Sequence, residues 1–198
     1  MKKLSLIIVL LCLACLTAGI RKAKNRTPPT WKNLEAKGDS AFHQYEIEDA
    51  CQFWEEAIQE NPDNLKVYNK LGISFLLLKE YEKAVDIFQD GLKLNSNSPD
   101  LNYNLALAHY YCGDFGEASR LLKKVLTINR DYHEANYLKG LCLEKMGRIE
   151  EAQRAYIQEL NNNPGSRAAW RKVKVFSRSE TTPDTYDETL EPFPATGT

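Results

Sequence analysis

Cysteine is sparse in this chain, with five irregularly placed residues among 198. That excludes a small fold stapled by a disulfide framework. Histidine is scarcer still: the three residues His43, His109 and His133 show no H-x-x-x-H spacing, so no metal site and no cofactor is expected. Charge of one sign is also missing. The chain has 26 basic and 27 acidic side chains, a net charge of -1, and so no global field that would favour nucleic acid. Long hydrophobic runs are absent except for one at the amino terminus, which excludes a multi-span membrane protein. What remains is ordinary globular composition, 43% hydrophobic and 27% charged, enough for one medium domain with appendages and too apolar for a mostly disordered chain.

The charge balance hides a gradient. Residues 1–26 carry Lys2, Lys3, Arg21, Lys22, Lys24 and Arg26 and no acid; residues 179–198 carry Glu180, Asp184, Asp187, Glu188 and Glu191 and no base. Between the two amino-terminal basic clusters runs Leu4–Ile20, LSLIIVLLCLACLTAGI, closing on small residues. A basic start, an apolar run and a small-residue end describe an export or anchoring signal. Three outcomes stay open. Ala14-Cys15, with Leu11 four residues before the cysteine, resembles the lipobox of bacterial lipoproteins, which implies lipidation at Cys15, although Cys12 stands where leucine is usual. Thr17 and Gly19 fit simple cleavage after Gly19. The flanking bases and a length at the short limit for about 30 Å of hydrocarbon fit an uncleaved anchor. Each outcome puts the protein at or beyond a membrane. Asn25-Arg26-Thr27 is a glycosylation triplet, weakened by the nearby Pro28.

The rest of the chain repeats. Ala50, Ala84, Ala118 and Ala152 are 34 residues apart; so are Gly38, Gly72, Ala106 and Gly140, the large apolar Trp54, Phe88, Leu122 and Tyr156, and Ile47, Tyr81, Phe115 and Ile149. The units are 31–64, 65–98, 99–132 and 133–166. Each reads as two amphipathic helices joined by a tight turn, with Gly113 and Gly147 supplying left-handed backbone after a helix and Asn61-Pro62 or Asn163-Pro164 ending one. The small columns let one helix backbone approach the next, with an aromatic ring filling the space beside them. Residues 167–178 read as a further first helix that covers the last repeat, with Trp170 and Val173 inward. Residues 21–30 form a basic, proline-bearing tether, and the acidic stretch 179–198 is expected to be disordered.

Tyr68, Leu71, Gly72, Phe75, Ala84, Phe88 and Leu92 within one unit make the chain resemble the tetratricopeptide repeat (TPR) family across 31–166. Lys37 and Lys139, where the family usually has leucine, are departures. The resemblance implies an all-α, right-handed α-solenoid of four TPR helix pairs plus the capping helix. It also implies a concave groove, lined by the first helix of each unit, that binds a peptide or helix of a partner protein. Carried onto this chain, the central groove positions are Asn69, Ile73, Leu76 and Leu77 in the second unit. The third unit contributes Tyr103, Asn104, Leu107, Tyr110 and Tyr111, and the fourth Tyr137 and Leu141. About half of the nine apolar members are expected to be core, because helical spacing alone does not separate groove from packing. The family's clamp for a C-terminal carboxylate needs cations where Glu134 and Leu138 stand, so that ligand is rejected.

No catalytic constellation is evident. His109 and Cys112 are three apart without an orienting third group. The expected function is therefore a membrane-associated adaptor or scaffold in cell-envelope assembly. The alternative is an anchored receptor or co-chaperone-like adaptor facing the cytoplasm.

Overall fold

The computed structural model describes residues 30–180, with side chains as far as Phe176. The amino-terminal apolar run with Cys15, nearly all of the tether and the acidic stretch from 181 lie outside the described residues. The described residues form nine helices: α1 Thr30–His43, α2 Ile47–Glu60, α3 Leu65–Leu77, α4 Tyr81–Leu94, α5 Pro99–Cys112, α6 Phe115–Ile128, α7 Ala135–Lys145, α8 Ile149–Asn162 and α9 Arg167–Glu180. None of them is long and apolar enough to cross a membrane. The chain divides into two compact units, Met1–Leu71 and Gly72–Thr198, the boundary falling inside α3.

In the first unit α1 lies against α2. Gly38 and Ala41 are buried with Ala50, Trp54 and Ala57. A Cβ at Gly38 would sit 2.5 Å from Trp54 Nε1, so the indole occupies the space that glycine vacates. Lys37, the departure from the family leucine, places its ammonium 5.5 Å from the centre of the Phe53 ring.

In the second unit the same pairing recurs. A Cβ at Gly72 would meet Phe88 at 2.4 Å, and one at Gly140 would meet Tyr156 at 2.4 Å. The third repeat has Ala106 and Leu122 at these columns, both buried. The larger small residue thus goes with the smaller apolar one. Beyond α8, Val173 and Phe176 of α9 pack against the cluster of Leu143, Ala152, Ala155 and Tyr156.

Every first helix ends in the same way. Tyr45, Lys79, Gly113 and Gly147 occupy one column and all have positive φ, at 64°, 61°, 88° and 74°. The next N–H then reaches back five residues: Glu46 to Ala41 O, Glu80 to Phe75 O, Asp114 to His109 O and Arg148 to Leu143 O, all at 2.9–3.0 Å. This left-handed cap satisfies the last carbonyls and aims the chain into the second helix. Glycine adopts it freely; Tyr45 and Lys79 do so at a cost of about 1–2 kcal/mol. Lys79→Gly should therefore stabilise the fold by up to about 1 kcal/mol, once glycine's extra unfolded-state entropy is subtracted. Gly113→Ala, whose new methyl would meet nothing within 4 Å, should destabilise it through backbone strain alone. Thermal melts followed by circular dichroism check both signs.

The starts of the first helices are less uniform. Ser98 caps α5, its hydroxyl accepting from Leu101 N, and Pro99 takes the first turn. Tyr132 replaces the serine in the fourth repeat and α7 starts at Ala135, two residues later than the period places it. Glu134 is left-handed, with φ 63°. Its N–H donates to Oε1 of Glu159 at 3.2 Å. Glu159 is 1% exposed and stands where the other repeats have Ala57, Gly91 and Val125. A buried carboxylate reaching across from α8 thus ties down the backbone just before α7, where no side chain caps the helix.

Candidate partner-binding groove

Burial grades from the packing positions to the groove candidates. Leu71, Phe75, Leu105, Ala106, Ala108, Leu138 and Cys142 on the first helices are buried. None of the nine apolar groove candidates is: Ile73, Leu76, Tyr103, Leu107, Tyr110, Tyr137 and Leu141 are half-buried, while Leu77 is 57% and Tyr111 50% exposed. The division between core and groove is graded and not sharp. The close helix contacts run through the small columns, which leaves the wider positions at the rim of the packing. Tyr137 and Leu141 are intermediate in role, for both pack against the buried cluster of the last repeat, and Tyr137 lies 5.7 Å from the Tyr156 ring.

In the second unit an aromatic ladder results. Tyr81 stacks on Tyr111 at 4.9 Å and 14°, Tyr111 meets Tyr110 edge-on at 5.7 Å, and Tyr110 meets Phe115 at 5.6 Å. Burial, chiefly, raises the Tyr110 hydroxyl above the ordinary phenol range, so it stays a hydrogen-bond donor. Tyr81, the first residue of α4, belongs to the repeating column with Ile47, Phe115 and Ile149 and is absent from the sequence-derived groove. Asn104 is half-buried on the same helix.

At the irregular start of α7 an open pocket of about 430 Å³ is lined by Asp100, Tyr103, Asn129, Asp131, Tyr132, His133 and Glu134. Tyr132 O–H donates to Asp100 Oδ1 at 2.8 Å and Tyr103 O–H to Glu134 Oε2 at 3.5 Å. The two rings lie 5.1 Å apart at 36°. Burial first and then these carboxylates push both phenols far above their usual range. Tyr132 is absent from the sequence-derived groove because it lies in the turn. Its place in the helix-capping column, held by Ser98 and Ser166 elsewhere, was the available signal.

The first unit, which holds Asn69, differs in character. Its hollow of about 580 Å³ is lined by both signs, Lys32 and Lys66 with Glu35 and Asp39. Its acids are engaged, since Lys70 donates to Glu35 at 2.9 Å and to Asp39 at 2.7 Å, and Asn64 donates to Glu35 at 2.9 Å. Burial would raise the Glu35 carboxyl, but the Lys70 and Asn64 hydrogen bonds lower it below the usual value.

His109 and Cys112 do not form a nucleophile and base. His109 Nδ1 lies 3.3 Å from Asp114 Oδ2. Burial, Glu82 and Asp114 all push the Cys112 thiol upward, away from thiolate. Cys112 and Cys142 are free thiols, and among the described residues no group of three side chains that could hold a metal ion comes together.

Paired helices repeated at 34 residues, with small-to-large contacts inside each pair and a partly open tyrosine strip, define a helical-repeat scaffold. Family models for the tetratricopeptide repeat match residues 35–99 and 112–174, and the chain belongs to that family. Among solved structures, MamA is similar at 21% identity with a TM-score of 0.68, over 72% of this chain and 83% of that one. YrrB, described as a TPR protein with an unusual peptide-binding site, is similar at 22% and 0.63, over 83% of each chain. The first TPR of Spaghetti (RPAP3), bound to the HSP90 peptide SRMEEVD, is similar at 23% and 0.56, over 58% of this chain and 91% of that one. These likenesses are of fold, and they agree with the all-α TPR solenoid expected from the sequence. In sequence, the human protein O-mannosyl-transferase TMTC3 is 26% identical over 122 residues, 60% of this chain and 13% of that protein. The TPR repeat-containing protein YsoA of Bacillus subtilis is 26% identical over 121 residues, 59% of this chain and 36% of that protein. The chain thus spans well under half the length of either curated relative.

Proposed function

We propose that this protein is an adaptor that holds an extended or helical segment of a partner protein on its tyrosine strip. The observation that carries the reading is the burial pattern: Leu77, Tyr110 and Tyr111 stay partly or largely open while their neighbours on the same helices are buried. An apolar strip left wet costs free energy that a partner would recover, and tyrosine offers a wide apolar face with a polar tip. Peptide binding by YrrB and by RPAP3 supports the reading by analogy of fold. The ligand class differs from an acidic chaperone tail, because Glu134 and Asp100 line the strip's end where a carboxylate would need cations.

In this proposal the amino-terminal apolar run takes the protein to or beyond a membrane, by lipidation at Cys15, by cleavage and export, or as an uncleaved anchor, and the adaptor serves cell-envelope assembly. The alternative, to which the basic cluster after the run lends support, is an uncleaved anchor with the repeats facing the cytoplasm as a receptor or co-chaperone-like adaptor. Cys15→Ser should release the protein from membranes if the thiol is lipidated; unchanged membrane fractionation with no fatty-acid label rejects that branch.

The groove is tested by Tyr110→Ala with Tyr111→Ala in the full chain. Affinity-purified partners identified with the wild type should fall by roughly tenfold or more, measured below the variant's own melting temperature, where its helical content matches the wild type. Wild-type capture by the double variant would remove the strip as the binding surface.

A further inference from the structure

We propose that the tyrosine-walled pocket at the start of the fourth repeat is the subsite that takes an arginine or lysine side chain of the bound segment. The proposal rests on the groove reading and specifies its ligand. Three carboxylates, Asp100, Asp131 and Glu134, line the pocket, and no lysine or arginine does; His133 is its one lining side chain able to carry positive charge. The contrast with the first unit is direct: there Lys70 neutralises Glu35 and Asp39, whereas here Asp100 and Glu134 are each met by a neutral phenol donor. A further carboxylate, Glu159, sits buried behind Glu134, held through its backbone N–H.

The arrangement selects a cation of a particular shape. Among the described residues no group of three side chains able to hold a metal ion forms, so the three carboxylates do not converge as the ligands of one small ion. A planar guanidinium on a flexible stem can accept from two sides while its stem lies on aromatic carbon. The Tyr103 and Tyr132 rings, 5.1 Å apart, supply that wall and the favourable ring field for a cation. With each phenol donating to its own carboxylate, the remaining carboxylate oxygens are left to face the pocket. Tyr103 belongs both to this pocket and to the α5 face that carries Leu107, Tyr110 and Tyr111, so a segment on the ladder would place one side chain at the pocket.

The test uses the full-length chain in detergent micelles and fluorescent peptides of leucine and serine, each carrying one arginine, one citrulline or one glutamate at successive positions. Citrulline keeps the shape of arginine and removes its charge. The arginine peptides should bind about tenfold more tightly than their citrulline counterparts at one register. Asp100→Asn with Glu134→Gln should abolish that preference while leaving citrulline-peptide affinity unchanged. Equal binding of arginine and citrulline by the wild type, with Tyr110→Ala still weakening both, would overturn the cation subsite and leave the groove standing. A preference that survives in the double variant would overturn it too. If no peptide binds, the groove reading and the subsite fall together. A gain of arginine-peptide affinity on replacing Arg21, Lys22, Lys24 and Arg26 by serine would show that the chain's own tether fills the pocket, and would overturn a partner as occupant.

Discussion

Gly72→Ala is expected to destabilise the protein even though alanine is the better helix former. A helix-interior glycine replaced by alanine gains about 1 kcal/mol from propensity. Against this, the added methyl would meet three ring atoms of Phe88 at 2.4–2.7 Å. The ring cannot swing away, because Phe88 is completely buried. Overpacking of that kind costs about 1–3 kcal/mol, occasionally more, and the three close ring contacts put this site at the upper end, so the net loss should be about 2 kcal/mol. Phe88→Leu alone should also destabilise, by opening a cavity. The two together recreate the alanine–leucine pair that the third repeat uses at Ala106 and Leu122. The double variant should therefore lie well above the sum of the singles, with a coupling of about 1–3 kcal/mol. The converse exchange makes the same point: Leu122→Phe should be tolerated only with Ala106→Gly. Denaturant melts of the four proteins in each cycle measure the coupling. Simple additivity would show that the backbones separate freely and that the small columns do not set the helix spacing.

That complementarity was legible in the sequence because it recurs. Four copies at one period expose which columns must be small and which large, and they fixed the helix pairs, their turns and the covering helix α9. The recurrence also separates what the sequence left unresolved. Exposure at Leu77 or Tyr111 depends on how far the next first helix stands off, and helical spacing carries no record of that distance. The pocket at Tyr103 was out of reach for a related reason. It exists because the fourth repeat breaks the pattern: Tyr132 replaces a capping serine, Glu159 replaces a small residue, and α7 begins two residues late. A periodic template averages over such departures. Each substitution looks bland alone, and they acquire meaning only once Glu159 is seen to hold the Glu134 N–H. Lys79 is a smaller instance, since its positive φ follows from the column it shares with Gly113 and Gly147, not from lysine itself.

Ending the chain at Ser166 should have the largest effect on the last repeat and little on the first. The α9 helix supplies Phe176, whose ring lies 6.1 Å from that of Tyr156 at 22°, and Val173, packed on the same cluster. It also supplies Lys172, whose ammonium donates to Glu144 at 2.8 and 3.0 Å while Tyr156 O–H donates to the same carboxylate at 2.7 Å. Without α9, Tyr156 loses its cover, and a solenoid's terminal repeat depends on its neighbour for much of its stability. Amide exchange should quicken through α7 and α8 while α1 and α2 keep their protection. Val173→Ala with Phe176→Ala in the full-length chain isolates the apolar part, with an expected loss of about 2–4 kcal/mol for two half-buried side chains. The charged part has a pH signature. Burial would raise the Glu144 carboxyl, but the Lys172 and Tyr156 hydrogen bonds outweigh it and leave it below its ordinary value of 4.5. A carboxyl lowered in the fold contributes stability that is complete above that ordinary value and is lost as the pH falls through the lower folded one. Lys172→Gln should consequently melt below the wild type at neutral pH, with the gap closing as the pH drops beneath about 4.5. A constant gap across that range would mean that Lys172 acts through its aliphatic stem on the Tyr156 ring and not through its charge.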